Sequence, residues 1–304
     1  MTASVIIPTY NGGHKIGNLL QALAVQTVRD FEIIVVIDGS TDGTAALLRT
    51  LQPSYPTLRI IEQVNGGRAK VRNRGAKEAT GELLIFFDDD MRPHPRVVQQ
   101  HMEHHAAYPG SIITGGAIEE ITPGMKDFAR FKAELSRKWS ESLISDKPMA
   151  NEDQAWLAAA NFSVAASTFQ ALGGFDERLT DGEDHDLSVR AYRMGISLYV
   201  DPKIEAWHDD LPTCAGYIRR RRQYTEAHKK LAAVKPELYG TATKYTATLP
   251  TGLKAQLFSM FCSRALIDSI DKDRWKWLPK NLRYRLYDWT ITANGTFFPE
   301  KTAL

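Results

Sequence analysis

Polar residues gather at four places where an apolar run ends. LLIFF (Leu83–Phe87) leads into Asp88, Asp89 and Asp90, and SVIIP leads into Thr9-Tyr10-Asn11. EIIVVI leads into Asp38-Gly39-Ser40-Thr41-Asp42, and a last short run ends at His208-Asp209-Asp210. The triplet points most directly to chemistry. Each adjacent carboxylate pair repels by about 1 kcal/mol in water and about 4 kcal/mol at a protein-surface dielectric. Three together after a buried strand call for a compensating cation. Hard oxygen ligands suit Mg²⁺ or Mn²⁺, which usually keeps substrate phosphates in its shell. A solvated acidic turn is the plain alternative, and the strand-end position weighs against it. Asp38 opens a Gly/Ser/Thr turn, where a carboxylate can accept from a base NH or a ribose hydroxyl, or simply stabilise the turn. Neither GxGxxG nor GxxxxGK[ST] occurs, which disfavours a dinucleotide cofactor or a P-loop nucleotide.

The elements that would position these residues alternate. Strands are expected at 4–8, 32–37, 58–62 and 83–87, with helices at 16–25, 44–51 and 69–79. The strands are continuously apolar, the pattern of strands covered on both faces. Strand–helix repetition of this kind predicts an α/β fold with a doubly wound, mainly parallel sheet flanked by helices. In such sheets ligands bind beyond the carboxyl ends of the strands, where the polar groups lie. Further on, helices are expected at 95–106 and 125–143, and strands at 112–118, 161–165, 198–200 and 204–207. Thr180 and Glu183 have capping-box spacing, and Gly195 sits as a helix C′ residue. Beyond Pro212 the chain reads as helical to about Ile270, then as a basic segment rich in Trp and Tyr.

A chain of 304 residues with 43% hydrophobic and 24% charged residues is long enough to bury a sizeable core. Two cysteines, Cys214 and Cys262, make no disulfide framework and no CxxC pair, so a reducing compartment is expected. The first residues lack a basic, then apolar, leader pattern. The longest apolar stretch near the C-terminus is broken by Lys254 and Arg264, short of the roughly 20 apolar residues of a membrane span. The net charge of +2 hides an asymmetry. Residues 1–210 carry 21 Lys+Arg against 29 Asp+Glu (−8), and residues 211–304 carry 17 against 7 (+10). This predicts an acidic domain over 1–210 that can bind a metal and a basic, aromatic-rich helical region over 211–304, packed on it, that can bind an anionic partner.

Four blocks carry a resemblance: SVIIPTYNGG, EIIVVIDGSTDGT, NGGRAKVRNRGAKEATGELLIFFDDD and GGFDERLTDGEDHDLSVRAYRMG. In this order and spacing, over roughly residues 3–230, the chain resembles a family 2 glycosyltransferase with the GT-A fold. The one small departure is Val71 before Arg72-Asn73, where the family usually has alanine. The resemblance implies a nucleotide-sugar donor, most often UDP-linked, with GDP- and dTDP-sugars open, and a divalent metal (Mn²⁺ or Mg²⁺). It places Thr9 and Asn11 in the family's Pro-Thr-Tyr-Asn motif at the donor pocket, Asp38 on the base, and Arg72 toward the nucleotide or its phosphates. Asp88 would contact the ribose or donor sugar, Asp89 would share that role or the metal, and Asp90 would ligate the metal. Glu183 and Asp184 match the acidic pair whose aspartate is the general base, and His208 matches a histidine that reaches the metal or diphosphate. Trp156 and Asn161 fall in the acceptor-side stretch.

These roles make chemical sense. Displacement at an anomeric carbon needs a deprotonated acceptor hydroxyl, a stabilised diphosphate leaving group and in-line alignment. One base without a second, covalent carboxylate implies inversion. The expected function is thus transfer of a sugar to a hydroxyl of a glycan or lipid-linked acceptor, in surface polysaccharide synthesis. A catalytically inactive, membrane-peripheral binding protein of the same fold is one rival, and retention of Asp38, Asp88, Asp90 and Asp184 argues against it. A sugar-phosphate nucleotidyltransferase is another, but it would want a Gly-rich basic loop where this chain has TYNGGHK. His101, His104 and His105 are expected on a solvated helix face. The run Arg219–Arg222, with Lys229 and Lys230, is either a solvated face or, with Trp275, Trp277, Tyr284, Tyr287 and Trp289, an interfacial surface. No motif supports nucleic acid as a partner. The expected setting is cytoplasmic, with peripheral contact at the inner membrane face.

Overall fold

The computed structural model describes residues 1–143, 145, 147–240 and 248–304. They form two compact units, one of residues 1–120 with 137–210, the other of 121–136 with 211–304.

The first unit is built on an eight-stranded sheet. Its strands are β1 (Ala3–Thr9), β2 (Phe31–Asp38), β3 (Leu58–Gln63), β4 (Leu83–Phe87), β5 (Met91–Pro93), β6 (Ile112–Ile118), β7 (Asn161–Ala165) and β8 (Leu198–His208), ordered β3-β2-β1-β4-β7-β6-β8-β5. Helices α1 (Ile16–Ala24), α2 (Thr44–Leu51), α3 (Arg68–Glu78) and α4 (Val97–Ala107) connect the early strands, and α6 (Ala166–Ala171) and α7 (Glu183–Arg193) the later ones. Helix α5 (Asp127–Ser142) begins in the second unit and ends in the first. Strands β1 to β4 pair in parallel, whereas β7 runs antiparallel to both β4 and β6, and β5 to β8.

Strand β4 shows why the early runs are unbroken in hydrophobicity. All five of its residues are buried, and Leu83, Ile85 and Phe87 join one core cluster while Leu84 and Phe86 join the cluster on the opposite face. With alternating side chains on two covered faces, no position is left for a polar residue until the strand ends.

Three local expectations change. The strands expected at 198–200 and 204–207 are one strand, β8, whose pairing with β6 shifts register between Gly115 (opposite Asp201) and Gly116 (opposite Glu205). The extra residues bulge there, and a Cβ on Gly116 would lie 2.6 Å from the Pro202 carbonyl oxygen. The capping box is not formed: α7 is capped by Gly182 in the left-handed region (φ 75°), with no side-chain cap bond. His101 and His105 are buried rather than solvated. His101 Nδ1 meets Ser163 Oγ at 2.8 Å and Nε2 meets Asn161 Oδ1 at 2.9 Å, because β7 offers polar partners inside the core. Burial pushes His101 down to about 3 and His105 down to about 4, so both stay neutral.

The second unit is helical, with α8 (Cys214–Val234), α9 (Pro236–Tyr239), α10 (Gly252–Met260), α11 (Arg264–Asp271) and α12 (Lys280–Thr292). The expected helix to Ile270 is therefore several pieces, and its stretch 241–247 lies outside the described residues. Segment 121–136 joins this unit instead of the first because Phe128 and Phe131 share its core with Ile218, Ile267, Tyr287 and Ile291. Asp127 there accepts two hydrogen bonds from Arg283 (2.5 and 2.8 Å) and one from the Tyr287 hydroxyl (2.9 Å). The arginine run is neither a bare face nor wholly available. Arg222 donates to the carbonyls of Asn294 and Thr302, Arg221 donates to Thr296 Oγ1, and Arg220 stacks 3.9 Å from the Tyr224 ring centroid. Among the described residues no helix is long and apolar enough to cross a membrane.

Candidate active site

A cleft of about 350 Å³ opens at the carboxyl ends of β1, β2 and β4, lined among others by Thr9, Asp38, Arg72 and the Asp88–Asp90 triplet. The topology dictates this. Parallel neighbours β2-β1-β4 end on the same edge, so the polar residues that terminate each apolar run converge. Thr9 donates its hydroxyl to Asp89 Oδ2 at 2.6 Å. Asp38 accepts from Gln63 Nε2 (2.7 Å) and from the backbone amides of Gly66 (2.8 Å) and Gly67 (2.9 Å). Its carboxylate therefore holds the loop leading into α3 as well as facing the cleft, with about one acceptor position left. Asn11, in a left-handed conformation (φ 51°), accepts from the Thr41 amide at 2.8 Å and ties the first polar loop to the second. It is a staple between loops and does not line the cleft.

Arg72 joins the donor side to the start of α7. Its buried guanidinium donates to Asp88 Oδ1 and to Glu183 Oε1, each at 2.6 Å, across 16 and 111 residues of sequence. Glu183, itself only 3% exposed, is thus engaged in a buried ion pair. Its neighbour Asp184 is different. Burial first, and then the Glu183 charge, push the Asp184 carboxyl up to about 6, against smaller pulls from the His185 amide, which donates to it at 2.8 Å, and from Arg72. A carboxylate titrating near 6 suits a general base.

Sheet pairing also brings His208 to the triplet. Met91 pairs with His208 across β5 and β8, and the Asp209 amide donates to the Asp90 carbonyl at 2.8 Å. His208 Nε2 therefore stands 3.4 Å from Asp90 Oδ1. Burial would raise Asp90, but His208 and then Lys15 outweigh it and hold the carboxyl well below the usual range. His208 is raised: burial works against its charge, and Asp90 overcomes it. Asp89 is raised, chiefly by burial, despite Lys15 and Thr9.

Comparison with known proteins identifies the family and the fold. Residues 4–147 match the profile of Glycosyl transferase family 2. The chain is 30% identical over 320 residues to the validoxylamine A glucosyltransferase of Streptomyces hygroscopicus subsp. jinggangensis, covering 96% of this chain and 69% of that one. The chain belongs to glycosyl transferase family 2. It spans about two thirds of the length of the first curated relatives it matches (69%, 66% and 64%). The GT-A fold is shared with the mannosyltransferase PcManGT from Pyrobaculum calidifontis in complex with GDP-Man and Mn²⁺ (TM-score 0.59, 19% identity, 96% of this chain and 86% of that one). It is shared also with S. aureus TarS 1–349 in complex with UDP-GlcNAc (TM-score 0.53, 19% identity, 96% and 90%).

The residues of this glycosyltransferase fit a divalent cation. Asp90 Oδ1 is buried without a hydrogen-bond donor, and His208 Nε2 faces it. One carboxylate and one imidazole, beside the Asp88 and Asp89 oxygens, are an acceptable donor set when substrate phosphates complete the shell. Among the described residues no group of three or more His, Cys, Asp or Glu forms a preformed cage.

Of the acceptor-side residues, Asn161 does not serve that end. It is fully buried, donates to the carbonyls of Gly116 and Ile204 and bonds His101, so it knits β6, β7, β8 and α4 together. Trp156 is partly exposed and meets Trp139 edge-on, with ring centroids 4.7 Å apart and Trp139 48% exposed. Two residues of the glycosyltransferase site escape sequence reasoning. A Cβ on Gly12 would collide with Asp89 Oδ2 and Thr9 Oγ1, so any larger residue would push both side chains out of place. Lys15 Nζ lies 2.8 Å from Asp89 Oδ1 and 3.1 Å from Asp90 Oδ2. Burial works against its charge, but the two carboxylates overcome it and hold the ammonium well above the usual range. The only sequence signal for either was proximity to the Pro-Thr-Tyr-Asn motif.

Proposed function

We propose that this family 2 glycosyltransferase is a metal-dependent, inverting enzyme that moves a sugar from a nucleotide-sugar to a hydroxyl of a glycan or lipid-linked acceptor. One observation carries the reading: the donor-side carboxylates and a carboxylate raised to about 6 belong to one connected system. Asp88 and Glu183 share the Arg72 guanidinium, and Asp184 directly follows Glu183.

In this reading Thr9, Asp38 and Asp88 bind the nucleoside and sugar of the donor, with Arg72 and Asn11 fixing their loops. Asp90 and His208 hold a Mn²⁺ or Mg²⁺ ion, with Asp89 beside them. When bound, the ion neutralises charge developing on the diphosphate. Asp184 removes the proton from the acceptor hydroxyl, whose oxygen attacks the anomeric carbon opposite the departing diphosphate, and the configuration inverts. Trp156 offers an aromatic face on the acceptor side, next to Trp139. The donor is a UDP-sugar in the first instance. The reaction serves surface polysaccharide synthesis at the cytoplasmic face of a membrane, a setting supported by the +10 charge of residues 211–304 and the 80% exposed Trp277.

Calorimetry of UDP with and without Mn²⁺ tests the core of this reading. Chelation should weaken UDP binding by about tenfold or more; equal affinity in both conditions would remove the metal from the site. Donor hydrolysis across a panel of nucleotide-sugars with Mn²⁺ then identifies the donor, and NMR of the product's anomeric proton tests inversion.

A further inference from the structure

Lys15 stands where the proposed chemistry most needs a positive charge. It precedes the first residue of α1, in the loop that leaves β1, and its ammonium bridges Asp89 and Asp90 at 2.8 and 3.1 Å. It is the charge that offsets the repulsion between these two adjacent carboxylates directly, with His208 facing Asp90 and Arg72 paired with Asp88 on either side. Yet the other oxygen of Asp90 is buried without a hydrogen-bond partner, with His208 Nε2 3.4 Å away. One carboxylate thus serves two positive groups, an ammonium on Oδ2 and the site that suits a cation on Oδ1. Two like charges a few ångströms apart oppose each other, so Lys15 and a divalent ion compete for the triplet.

Its position gives the lysine somewhere else to go. The side chain is 27% exposed and lines the cleft together with Arg68 and Arg72. A compact ammonium on a flexible four-carbon stem can change partners with little rearrangement. An incoming nucleoside diphosphate carries negative charge into the same cleft.

We propose that Lys15 is a built-in counter-ion. It occupies Asp89 and Asp90 while the site is empty, and it moves onto the donor diphosphate when donor and divalent cation arrive together. This rests on the donor and metal assignment above and deepens it. The consequence is linked binding. The free cation is held off by Lys15, the donor draws Lys15 away, and by reciprocity each ligand strengthens the other. The structure thereby gives the chain a means to admit the cation chiefly as its complex with the donor.

The test is calorimetry on the full chain with three titrations: Mn²⁺ alone, UDP with Mn²⁺ present, and Mn²⁺ with UDP present. Lys15→Met removes the charge and keeps the stem. It should bind Mn²⁺ alone about tenfold or more tighter than the wild type, and bind UDP with Mn²⁺ about tenfold or more weaker. Lys15→Arg keeps the charge and should hold free Mn²⁺ as weakly as the wild type does. Lys15→Gln is the substitute if Lys15→Met does not fold, as thermal unfolding would reveal, and it should share the tighter Mn²⁺ binding. Equal affinity for Mn²⁺ alone in the wild type and the uncharged variant overturns the inference, as does undiminished UDP binding in that variant. If the wild type binds no Mn²⁺ even with UDP present, the metal assignment itself fails and this inference with it. That outcome is read from the wild type alone, so the two failures are distinguishable.

Discussion

Replacing Arg72 by methionine is the sharpest structural test of the site. The Arg72 side chain is 4% exposed and so is that of Glu183, and their ion pair is 2.6 Å long. The other branch, to Asp88, is equally short, but Asp88 is 36% exposed, so solvent screens that half and it contributes less. Removing one partner of a buried pair costs about 3–5 kcal/mol, mostly because the remaining charge is left without compensation in a poorly solvated place. Here that charge is Glu183. At roughly 2–4 °C per kcal/mol for a unit of this size, Arg72→Met should lower the melting temperature by about 6–20 °C. The same reasoning predicts that Arg72→Met/Glu183→Gln, which neutralises the stranded carboxylate, regains a substantial part of the loss. Thermal and urea unfolding of the wild type, the single and the double variant supply the numbers. A loss below about 1 kcal/mol in the single variant, or a double variant no more stable than the single, would refute the argument that the buried Glu183 charge dominates.

The remaining predictions concern chemistry. Asp184→Asn should lower transfer by about 10²–10⁴-fold while UDP binding stays within a few-fold of wild type; loss of UDP binding instead would move Asp184 from the acceptor side to the donor side. A base must be deprotonated to act, so with a carboxyl raised to about 6 the rate should fall on the acid side through that value. At pH 5 roughly a tenth of the plateau should remain, whereas an unshifted aspartate would retain nearly all of it. Glu183→Gln removes a charge that raises Asp184 and should move this acid limb to lower pH; an unmoved limb would mean that the limb belongs to another group. Gly12→Ala should weaken UDP binding with Mn²⁺, because its Cβ displaces Asp89 and Thr9; a variant with wild-type affinity would show that the loop yields freely.

Much of this site was legible in the chain, and particular residues show why. Unbroken apolar runs such as LLIFF announce strands with two covered faces, and a polar residue can appear only where such a run stops. Asp38, Thr9 and the Asp88–Asp90 triplet were found by that rule, and the strands they follow are the ones observed. Charge asymmetry likewise marked a change near residue 210, though it did not foresee that Asp127, Phe128 and Phe131 join the later helices. The residues least legible in the chain share a feature. His101, Asn161, Glu183 and the arginines of α8 all have a polar group whose meaning depends on which partner lies within 3 Å.

Apolar periodicity is a local property, and in this chain it was enough to mark β1 to β4, the parallel half of the sheet, and the edge where their polar residues gather. Partnership between charged groups is not local. Arg72 reaches Glu183 across 111 residues, and Lys15 reaches Asp89 and Asp90 across 74 and 75 (89 − 15 and 90 − 15). His208 meets Asp90 only because Met91 pairs with it across β5 and β8. Whether a carboxylate is a base, a ligand or a strut depends on burial and on distances of a few ångströms, since Coulomb interactions in a poorly solvated site change steeply over that range. Strand pairing sets those distances, so the surroundings of Asp184, Glu183 and Lys15 became distinct only once the sheet was assembled.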